Sequence, residues 1–199
     1  EESGVLREKT WQEFLDTSLA LGNCPPLRGD NVVIITNGGG AGLLAADHFE
    51  RLGMPLKELK DISPDLRENI RNYMPAFGSP LNPVDISGTA TSDMYGGALK
   101  TAYRDEHVDG ILISVCPTAV TDVEAITETV INIHRQYKNL GKPFIMECQG
   151  GNECREAIMK LRDKGIPAYS TPEQAVNAMV ALRRYSHIMN KKEKLIKNI

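Results

Sequence analysis

The stretch over residues 32–46 constrains the fold of this chain more than any other. It opens with five β-branched residues, Val-Val-Ile-Ile-Thr. Such a run is typical of a strand that is buried on both faces of a parallel sheet. An asparagine follows, then four glycines within five residues, and then an apolar Ala/Leu pattern at helical spacing. The stretch therefore predicts a strand, a tight glycine turn and a helix.

The turn of this unit is a candidate binding site. Glycine lets a ligand approach the backbone closely, and the start of a helix offers unpaired N–H groups and a partial positive charge. An anion is the natural occupant of such a place. A strand-to-helix turn also uses glycines for its geometry alone, but an asparagine with four glycines favours a substrate or phosphate site. Its predicted residues are Asn37, Gly38, Gly39, Gly40, Ala41 and Gly42.

Length and charge exclude several classes of protein. A chain of 199 residues with 41% hydrophobic residues is long enough for one domain, or for one domain and a piece of another. A net charge of −3 argues against a nucleic-acid partner. No apolar run reaches membrane-spanning length, and no signal segment opens the sequence. The four cysteines lack C-x-x-C spacing, so we expect reduced thiols, no zinc site and a cytoplasmic protein.

The rest of the chain alternates apolar strands with helical segments. Strands are predicted at 5–7, 56–59, 84–86, 110–115, 143–146 and 166–169. Helices are predicted at 10–21, from the glycine turn to 53, at 64–73 and 92–104, from near 119 to 137, and at 152–164 and 172–185. This alternation indicates a parallel sheet covered on both faces. About five strands with short connections predict an α/β, flavodoxin-like, doubly wound domain that binds ligands at the carboxyl edge of its sheet.

A weak internal sequence repeat suggests where the domain boundaries of the chain lie. Residues 4–21 align without gaps with residues 165–182, so that Thr10-x-x-Glu13 falls on Thr171-x-x-Gln174. Both copies read as a strand, a capping box and a helix, although any strand-helix unit has some of this likeness. Since the second copy closes a domain, we expect the first to do so too. The predicted divisions are 1–22 as the end of a preceding domain, 23–30 as a linker, 31–185 as the main domain and 186–199 as a basic tail or linker.

Four motifs together resemble one family. They are residues 33–42, Asn82-Pro83-Val84-Asp85, Pro117-Thr118-Ala119-x-Thr121-Asp122 and residues 165–173. In this order they resemble one domain of the NDP-forming (ADP-forming) acyl-CoA synthetases, which belong to the succinyl-CoA synthetase superfamily. The domain is the C-terminal, flavodoxin-like domain of the α subunit or α part of these enzymes. The resemblance covers nearly the whole chain. It implies a part of an enzyme that converts acid, CoA and ATP into acyl-CoA, ADP and phosphate, through an acyl phosphate and a phosphohistidine.

The resemblance also implies what the rest of such an enzyme supplies. The family's phosphohistidine stands in a Ser-His-Thr-Gly type loop of the preceding domain, and none of the four histidines here lies in such a loop. We therefore expect no catalytic residue and no metal ligand in this chain, and no activity from it alone. A CoA-binding domain, an ATP-grasp module or subunit, and CoA, ATP or ADP and magnesium belong to the complete enzyme. The family pattern is compatible with any small carboxylic acid, with ADP or GDP, and with a single-chain or two-subunit parent.

Two further segments are candidate site residues. Pro117, Thr118 and Ala119 precede a predicted helix, and the resemblance implies that this helix start faces the phosphate or carboxylate near the phosphohistidine. The same residues also suit a simple helix cap. Asn82, Pro83, Val84 and Asp85 are expected to line the acyl site, although the segment also reads as an Asx-type turn before a short strand.

Rival folds fail on their motifs. The glycine loop lacks the third glycine of a dinucleotide fingerprint, and no Gly-Lys-Ser/Thr follows it. The alternative function is a non-catalytic one, namely the same domain as the acyl-CoA-sensing part of a protein acetyltransferase.

Overall fold

A five-stranded parallel sheet forms the centre of the molecule. The computed structural model describes residues 4–197, with side chains described as far as residue 192. The strand order is β2-β1-β3-β4-β5, and all pairs are parallel. The strands are β1 (Val32–Thr36), β2 (Val84–Asp85), β3 (Gly110–Val115), β4 (Phe144–Cys148) and β5 (Ala168–Tyr169). This order is that of the predicted flavodoxin-like, doubly wound fold, which is confirmed.

Eight α-helices cover the two faces of the sheet in the described part of the chain. They are α1 (Trp11–Asn23), α2 (Gly39–Arg51), α3 (Leu59–Ile62), α4 (Leu66–Arg71), α5 (Ser92–Arg104), α6 (Val123–Tyr137), α7 (Asn152–Asp163) and α8 (Pro172–Lys197). Helices α1, α2 and α8 pack on one face, and α3 to α7 pack on the other. None of these described helices has the length and hydropathy to cross a membrane.

The central strand β1 shows how the core is divided. All five of its residues are buried. Val33 and Ile35 point into the core under α3 to α7, whereas Val32 and Ile34 point into the core under α1, α2 and α8. The helix after β1 lies on one face and the helix after β3 lies on the other, so the chain reverses its winding between these two neighbouring strands. Their carboxyl ends therefore border the crevice in which doubly wound folds bind ligands.

The segment between α2 and β2 is helical where a strand was predicted. Residues 56–59 form no strand, and Leu59 begins α3 instead. Leu59, Ile62, Leu66 and Ile70 are all buried, and their spacing of three and four residues is that of one helix face. Ser63 ends α3 rather than capping α4, which begins two residues later than predicted.

The first helix packs against the last. The capping box predicted at Thr10 and Glu13 is formed in full. The Tyr169 hydroxyl donates to the carbonyl oxygen of Asp16 at 2.7 Å, and the Gln174 amide donates to the Asp16 carboxylate at 3.0 Å. The α1 helix therefore covers the same face of the sheet as α8. Residues 5–7 pair with no strand in the described part of the chain, so the strand predicted there is not formed.

The predicted domain boundaries near residues 22–31 and 185 stay predictions, but the structure shows where the last helix ends. The last helix does not stop near Tyr185 but continues to Lys197, and Ser186 is still buried. The expected basic tail is thus a continuation of α8 over residues 186–197, and residues 198 and 199 lie outside the described part.

The expectation of four reduced thiols is wrong for one pair. Cys148 and Cys154 are joined by a disulfide, and their Cα atoms lie 5.3 Å apart. Cys148 ends β4 and Cys154 lies in the first turn of α7, so the turn between them brings the two side chains together. Cys24 and Cys116 are free.

Candidate functional site

The Asn37 side chain joins the loops that follow β1 and β3. Its Oδ1 accepts hydrogen bonds from the Cys116 backbone N–H at 2.8 Å and from the Tyr95 hydroxyl at 3.0 Å. Its Nδ2 donates to the Cys116 carbonyl at 2.9 Å. Asn37 is 3% exposed. Because its polar atoms are engaged inside the protein, Asn37 positions the crevice rather than offering a free donor to a ligand.

The glycines of the turn have two different reasons to be glycine. A Cβ atom at Gly38 would lie 2.6 Å from the Cys116 Sγ, and one at Gly39 would lie 2.7 Å from an Asp85 carboxylate oxygen. A Cβ atom at Gly42 would lie 3.0 Å from Pro83. Close packing therefore excludes a side chain at Gly38 and disfavours one at Gly42, whereas at Gly39 only the end of the Asp85 side chain would have to move. At Gly40, in contrast, a Cβ atom would meet nothing within 4 Å, so this residue borders open space.

The start of α2 presents unpaired backbone donors beside that open space. Gly38 is the N-cap residue and supplies no side-chain cap, and the first turn contains no acidic residue. The Gly38 N–H donates to Thr36 Oγ1 at 3.0 Å, whereas no acceptor among the described residues is hydrogen-bonded to the N–H groups of Gly39, Gly40 and Ala41. These three groups and the helix dipole give the place the character of an anion site.

The loop after β3 differs from the prediction. The helix does not start near Ala119, because α6 begins at Val123 with Asp122 as its N-cap; the Asp122 carboxylate accepts from the Ala125 N–H at 2.9 Å. Residues 117–121 instead form a turn. In it the Thr118 N–H donates to Thr121 Oγ1 at 2.9 Å. The Asp122 carboxylate thus pairs with one N–H of the helix start, which begins later than expected, and the binding role predicted for residues 117–119 stays a prediction.

Thr118 connects this turn to the loop after β2. Its hydroxyl donates to the Gly88 carbonyl at 3.0 Å. In the same loop Ser87 has a φ of 79°, and its N–H donates to the Asp85 carboxylate at 2.9 Å. The loops after β1, β2 and β3 therefore meet, as the sequence predicted from the carboxyl ends of their strands.

Asn82 has a structural role like that of Asn37. Its Oδ1 accepts from the Ile34 N–H at 3.1 Å, and its Nδ2 donates to the carbonyl oxygens of Val32 and Lys57. The Asn82–Pro83 peptide bond is cis. The Asn82 side chain thus continues the hydrogen bonding along β1 beyond the β2 strand, and Pro83 packs on Gly42.

A small, mostly apolar hollow opens beside the start of α2. Its volume is about 270 Å³. Leu43, Leu81 and Pro83 supply its apolar walls, and Thr36 and Asp85 supply polar groups near Gly39. Of the predicted residues, the glycine turn and the segment 82–85 are brought together here, whereas residues 117–119 do not line this hollow.

Glu147 is a buried acid that sequence reasoning missed. It is 0% exposed on β4, where Ser114 Oγ donates to its Oε2 at 2.6 Å and its Oε1 has no partner among the described residues. Burial raises the pKa of this carboxyl to about 7. The available signal was a charged residue inside an apolar strand run, Pro143-Phe144-Ile145-Met146-Glu147.

Metal and histidine chemistry is absent from this edge within the described residues. No three His, Cys, Asp or Glu side chains there are grouped so as to hold a metal ion. His48 Nε2 is hydrogen-bonded to Asn177 at 2.8 Å, and His134 Nδ1 is hydrogen-bonded to the Tyr103 hydroxyl at 2.8 Å. Both histidines lie in helices, and their partners belong to other helices, Asn177 to α8 and Tyr103 to α5.

Comparison with known proteins identifies the family. The model of the Ligase-CoA domain matches residues 32–191. The chain belongs to the Ligase-CoA domain family. This match covers the whole sheet and the loops that form the crevice.

Ligase-CoA domain relatives share both sequence and fold with this chain. It is 43% identical over 191 residues to the acetate–CoA ligase [ADP-forming] I subunit alpha of Pyrococcus furiosus. The aligned region covers 93% of this chain and 39% of the Pyrococcus subunit. The chain is 32% identical over 190 residues to the acetate–CoA ligase [ADP-forming] I of Archaeoglobus fulgidus, covering 96% of this chain and 26% of that one. The structure of the Ca. Korarchaeum cryptofilum dinucleotide forming acetyl-coenzyme A synthetase 1, in complex with phosphate and ADP, matches with a TM-score of 0.90 and 33% identity, over 97% of this chain and 41% of that one.

The chain spans about two fifths or less of the length of these relatives. What the relatives do as whole proteins therefore includes parts that lie outside the matched segment.

Proposed function

We propose that this Ligase-CoA domain is part of an ADP-forming acyl-CoA synthetase that converts a small carboxylic acid, CoA and ATP into acyl-CoA, ADP and phosphate. The observation that carries the proposal is the match to ADP-forming acetate–CoA ligases along nearly the whole chain, at up to 43% identity. The curated relatives described above are named as ligases, which favours this function over an acyl-CoA sensor in an acetyltransferase.

The domain's proposed task is to hold the anionic end of an acyl phosphate, or the phosphate that leaves it. The N–H groups of Gly39, Gly40 and Ala41 point from the start of α2 without a protein acceptor among the described residues. Backbone donors at a helix start suit the oxygens of a phosphoryl group or a carboxylate. Gly40 is the place where such a group has room.

The acyl chain of the substrate is proposed to bind in the apolar hollow next to this anion site. The hollow beside Gly39 has walls of Leu43, Leu81 and Pro83. The Asp85 carboxylate lies against Gly39 and disfavours a second anion there. The apolar part of the substrate is thus directed into the hollow and its charged end toward Gly40.

Other parts of the proposed enzyme complete the site. A single helix start contributes only about 0.3–1 kcal/mol to binding an anion at an exposed position, whereas millimolar affinity corresponds to about 4 kcal/mol. We therefore propose that the upstream CoA-binding and phosphohistidine domain and an ATP-grasp module close over this edge. CoA, ATP or ADP and magnesium are the proposed substrates and cofactor of the complete enzyme, in the cytoplasm.

The parent enzyme with Gly40→Val tests this proposal. A valine at this position occupies the open space beside the unpaired N–H groups, so we expect acyl-CoA formation and its reversal to be lost while the protein stays folded. Gly22→Val is a matched control, because Gly22 also lies in a helix, α1, and a Cβ atom there would meet nothing within 4 Å. Unchanged turnover in a folded Gly40→Val enzyme would contradict the proposed site, and a parent without ADP- and phosphate-dependent release of CoA would contradict the function.

A further inference from the structure

A row of polar side chains crosses the sheet just below its carboxyl edge. Thr36 on β1 lies in register with Asp85 on β2 and with Ser114 on β3, and Ser114 lies in register with Glu147 on β4. The residues two positions earlier on β1, β3 and β4 belong to the core under α1, α2 and α8, so the row lies on this face of the sheet. It leads from Glu147 to the hollow beside the start of α2, which Thr36 and Asp85 line.

Packing alone does not explain this row. Thr36, Ser114 and Glu147 are 0–1% exposed, and apolar side chains at these positions would avoid the cost of burying polar groups. The Glu147 Oε1 atom has no hydrogen-bond partner among the described residues. A buried carboxyl with an unpaired oxygen costs stability, which indicates that Glu147 has a role other than stabilising the fold.

Hydrogen bonds and packing connect Glu147 to the start of α2. Ser114 Oγ donates to Glu147 Oε2 at 2.6 Å and is also hydrogen-bonded to the Cys116 thiol. The Cys116 sulfur accepts from Gln149 Nε2 at 2.9 Å, and it packs so closely on Gly38 that a Cβ atom there would be 2.6 Å away. Gly38 is the N-cap residue of α2. A change at Glu147 therefore reaches the helix start through two side chains.

The Ser114 hydroxyl has one proton for its two neighbours. It donates this proton to Glu147 when the carboxyl is ionised, because a carboxylate only accepts hydrogen bonds. A neutral Glu147 can donate to Ser114 Oγ instead, and the Ser114 proton is then free for the Cys116 sulfur. The protonation state of Glu147 thus decides how Cys116 is held against Gly38.

The groups around Glu147 favour its neutral form. Burial raises the pKa of this carboxyl to about 7, and the charge of Glu173, in the first turn of α8, acts in the same direction. A further acid, Asp16 on α1, is buried on the same face, and the first turn of α2 contains no acid. Burial also raises the pKa values of Tyr169, its neighbour on β5, and of Cys116, so neither ionises before Glu147 as the pH rises.

We propose that Glu147 is a positioning residue for the anion site at the start of α2, and that its neutral form, acting through Ser114 and Cys116, is the form that favours an anion. Ionisation of Glu147 withdraws the Ser114 proton from Cys116 and adds a like charge near the bound phosphate or carboxylate. Both changes weaken anion binding. The inference rests on the anion site of the proposed function and adds a dependence on pH to it.

The 199-residue chain tests the connection without a ligand. NMR spectra between pH 5 and pH 9 follow the Glu147 carboxyl carbon and the backbone N–H signals of Gly38 and Gly39. We expect all of them to change with one midpoint near 7. In Ser114→Ala the carboxyl still titrates, but the step at Gly38 relative to that at Glu147 is expected to shrink by at least about half, because the hydrogen-bonded connection is broken. Ser18→Ala, on the exposed surface of α1, is the matched control and is expected to keep the full step.

Three results of this titration would overturn the proposal. They are a Glu147 carboxyl that does not titrate between pH 5 and pH 9, Gly38 signals that stay constant while it titrates, and a full step at Gly38 in Ser114→Ala. The first two need only the unaltered chain, so they hold even if a variant fails to fold.

The parent enzyme tests the consequence for binding. Its KM for phosphate, with acyl-CoA and ADP, is compared at pH 6 and pH 8 with that of Glu147→Gln, which stays neutral at both values. The ionisation of phosphate itself affects both enzymes equally, so the ratio of the two KM values isolates Glu147. We expect similar KM values at pH 6, and at pH 8 a parent KM at least about threefold above that of the variant, because a like charge is then present. The KM for ADP is expected to be unaffected.

Glu50→Gln, on the exposed surface of α2, is the control and is expected to follow the parent at both pH values. A ratio of KM values that is the same at pH 6 and pH 8, or a Glu50 variant that behaves like the Glu147 variant, would overturn the role of Glu147. A parent enzyme without activity would instead contradict the proposed function, and the NMR titration would still decide whether Glu147 controls the start of α2.

Discussion

At the scale of single residues, the glycines of the turn differ in what surrounds them, since some are closely packed and one borders open space. Gly38 lies so close to the Cys116 sulfur that a Cβ atom there would be 2.6 Å away, whereas Gly40 faces open space. We expect Gly38→Ala to destabilise the chain by about 1–3 kcal/mol through overpacking. Gly40→Ala is expected to be neutral or stabilising by up to about 1 kcal/mol, because alanine is the better helix former. Denaturant unfolding of the two variants measures the difference, and equal effects would contradict the packing described here.

The buried Glu147 carboxyl makes the stability of the chain depend on pH. Its pKa is raised to about 7 in the folded protein by burial, compared with 4.5 for a free glutamate. Below the lower value both states hold the proton, and the contribution to stability is complete. Between these two values the unfolded chain has released its proton while the folded protein still holds it, so this stability falls by up to about 1.4 kcal/mol per pH unit. It is fully lost once the pH has risen through the folded pKa of about 7.

Glu147→Gln tests this dependence. Glutamine keeps the size of the side chain and an acceptor for Ser114, but it cannot ionise. We expect the variant to gain stability relative to the parent chain at pH 8 compared with pH 5, measured by urea unfolding at the two values. Glu50→Gln, on the exposed surface of α2, serves as the control. A Glu147 variant whose stability relative to the parent is the same at both pH values would show that the carboxyl is not titrating in this range.

At the scale of elements, the link between the β1 and β3 loops rests on one amide. Asn37→Ala leaves the Cys116 backbone N–H and carbonyl without the partner described above, whereas the Tyr95 hydroxyl keeps the Ser114 carbonyl as its acceptor. Each buried polar group that loses its partner costs about 1–3 kcal/mol. We therefore expect a loss of several kcal/mol in the free energy of unfolding, measured with guanidinium. Asn72→Ala, at the exposed end of α4, is expected to change it by less than about 0.5 kcal/mol.

The same elements show how far the sequence was informative. The runs at β1, β3 and β4 are buried on both faces, so unbroken apolar stretches predicted them and the parallel sheet directly. The capping box at Thr10 is a local pattern and was predicted correctly. The strand at 5–7 was not formed, because a strand needs a neighbour and the local pattern contains no information about one.

The meeting of the loops at the carboxyl edge was predicted, but their side-chain contacts were not, and ligand binding there stays a prediction. The glycine turn indicated an anion site, yet the side-chain contacts decide which groups are open. Asn37 and Asn82 hydrogen-bond backbone groups that are distant in sequence. The start of α6 moved to Val123 because Asp122 caps it, and two threonines hold the turn before it. The tertiary hydrogen bonds of the two asparagines leave no periodic pattern in the sequence, whereas the cap and the threonine turn are local.

At the scale of the whole molecule, the two edges of the sheet carry different chemistry. The carboxyl edge presents backbone donors and an apolar hollow, whereas the amino edge carries a cleft lined by Arg135, Lys138, Lys142 and Lys164. The four histidines lie away from the carboxyl edge. His48 is in the last turn of α2, His107 precedes β3, His134 is near the end of α6, and His187 borders a hollow with Asp30, just before β1.

This placement predicts that the chain carries no phosphorylatable histidine. A phosphoryl relay needs a histidine within reach of the phosphate held at the start of α2, and the described histidines are separated from it by the length of the strands. We therefore expect no acid-labile label on the 199-residue chain after incubation with γ-labelled ATP, or with acyl-CoA and labelled phosphate, and no acyl-CoA from acid, CoA and ATP. The parent enzyme, treated in the same way, is expected to become labelled at a histidine outside this chain. A stable phosphohistidine at His48, His107, His134 or His187 would overturn the division of roles proposed here, because it would place the relay at the wrong edge of the sheet.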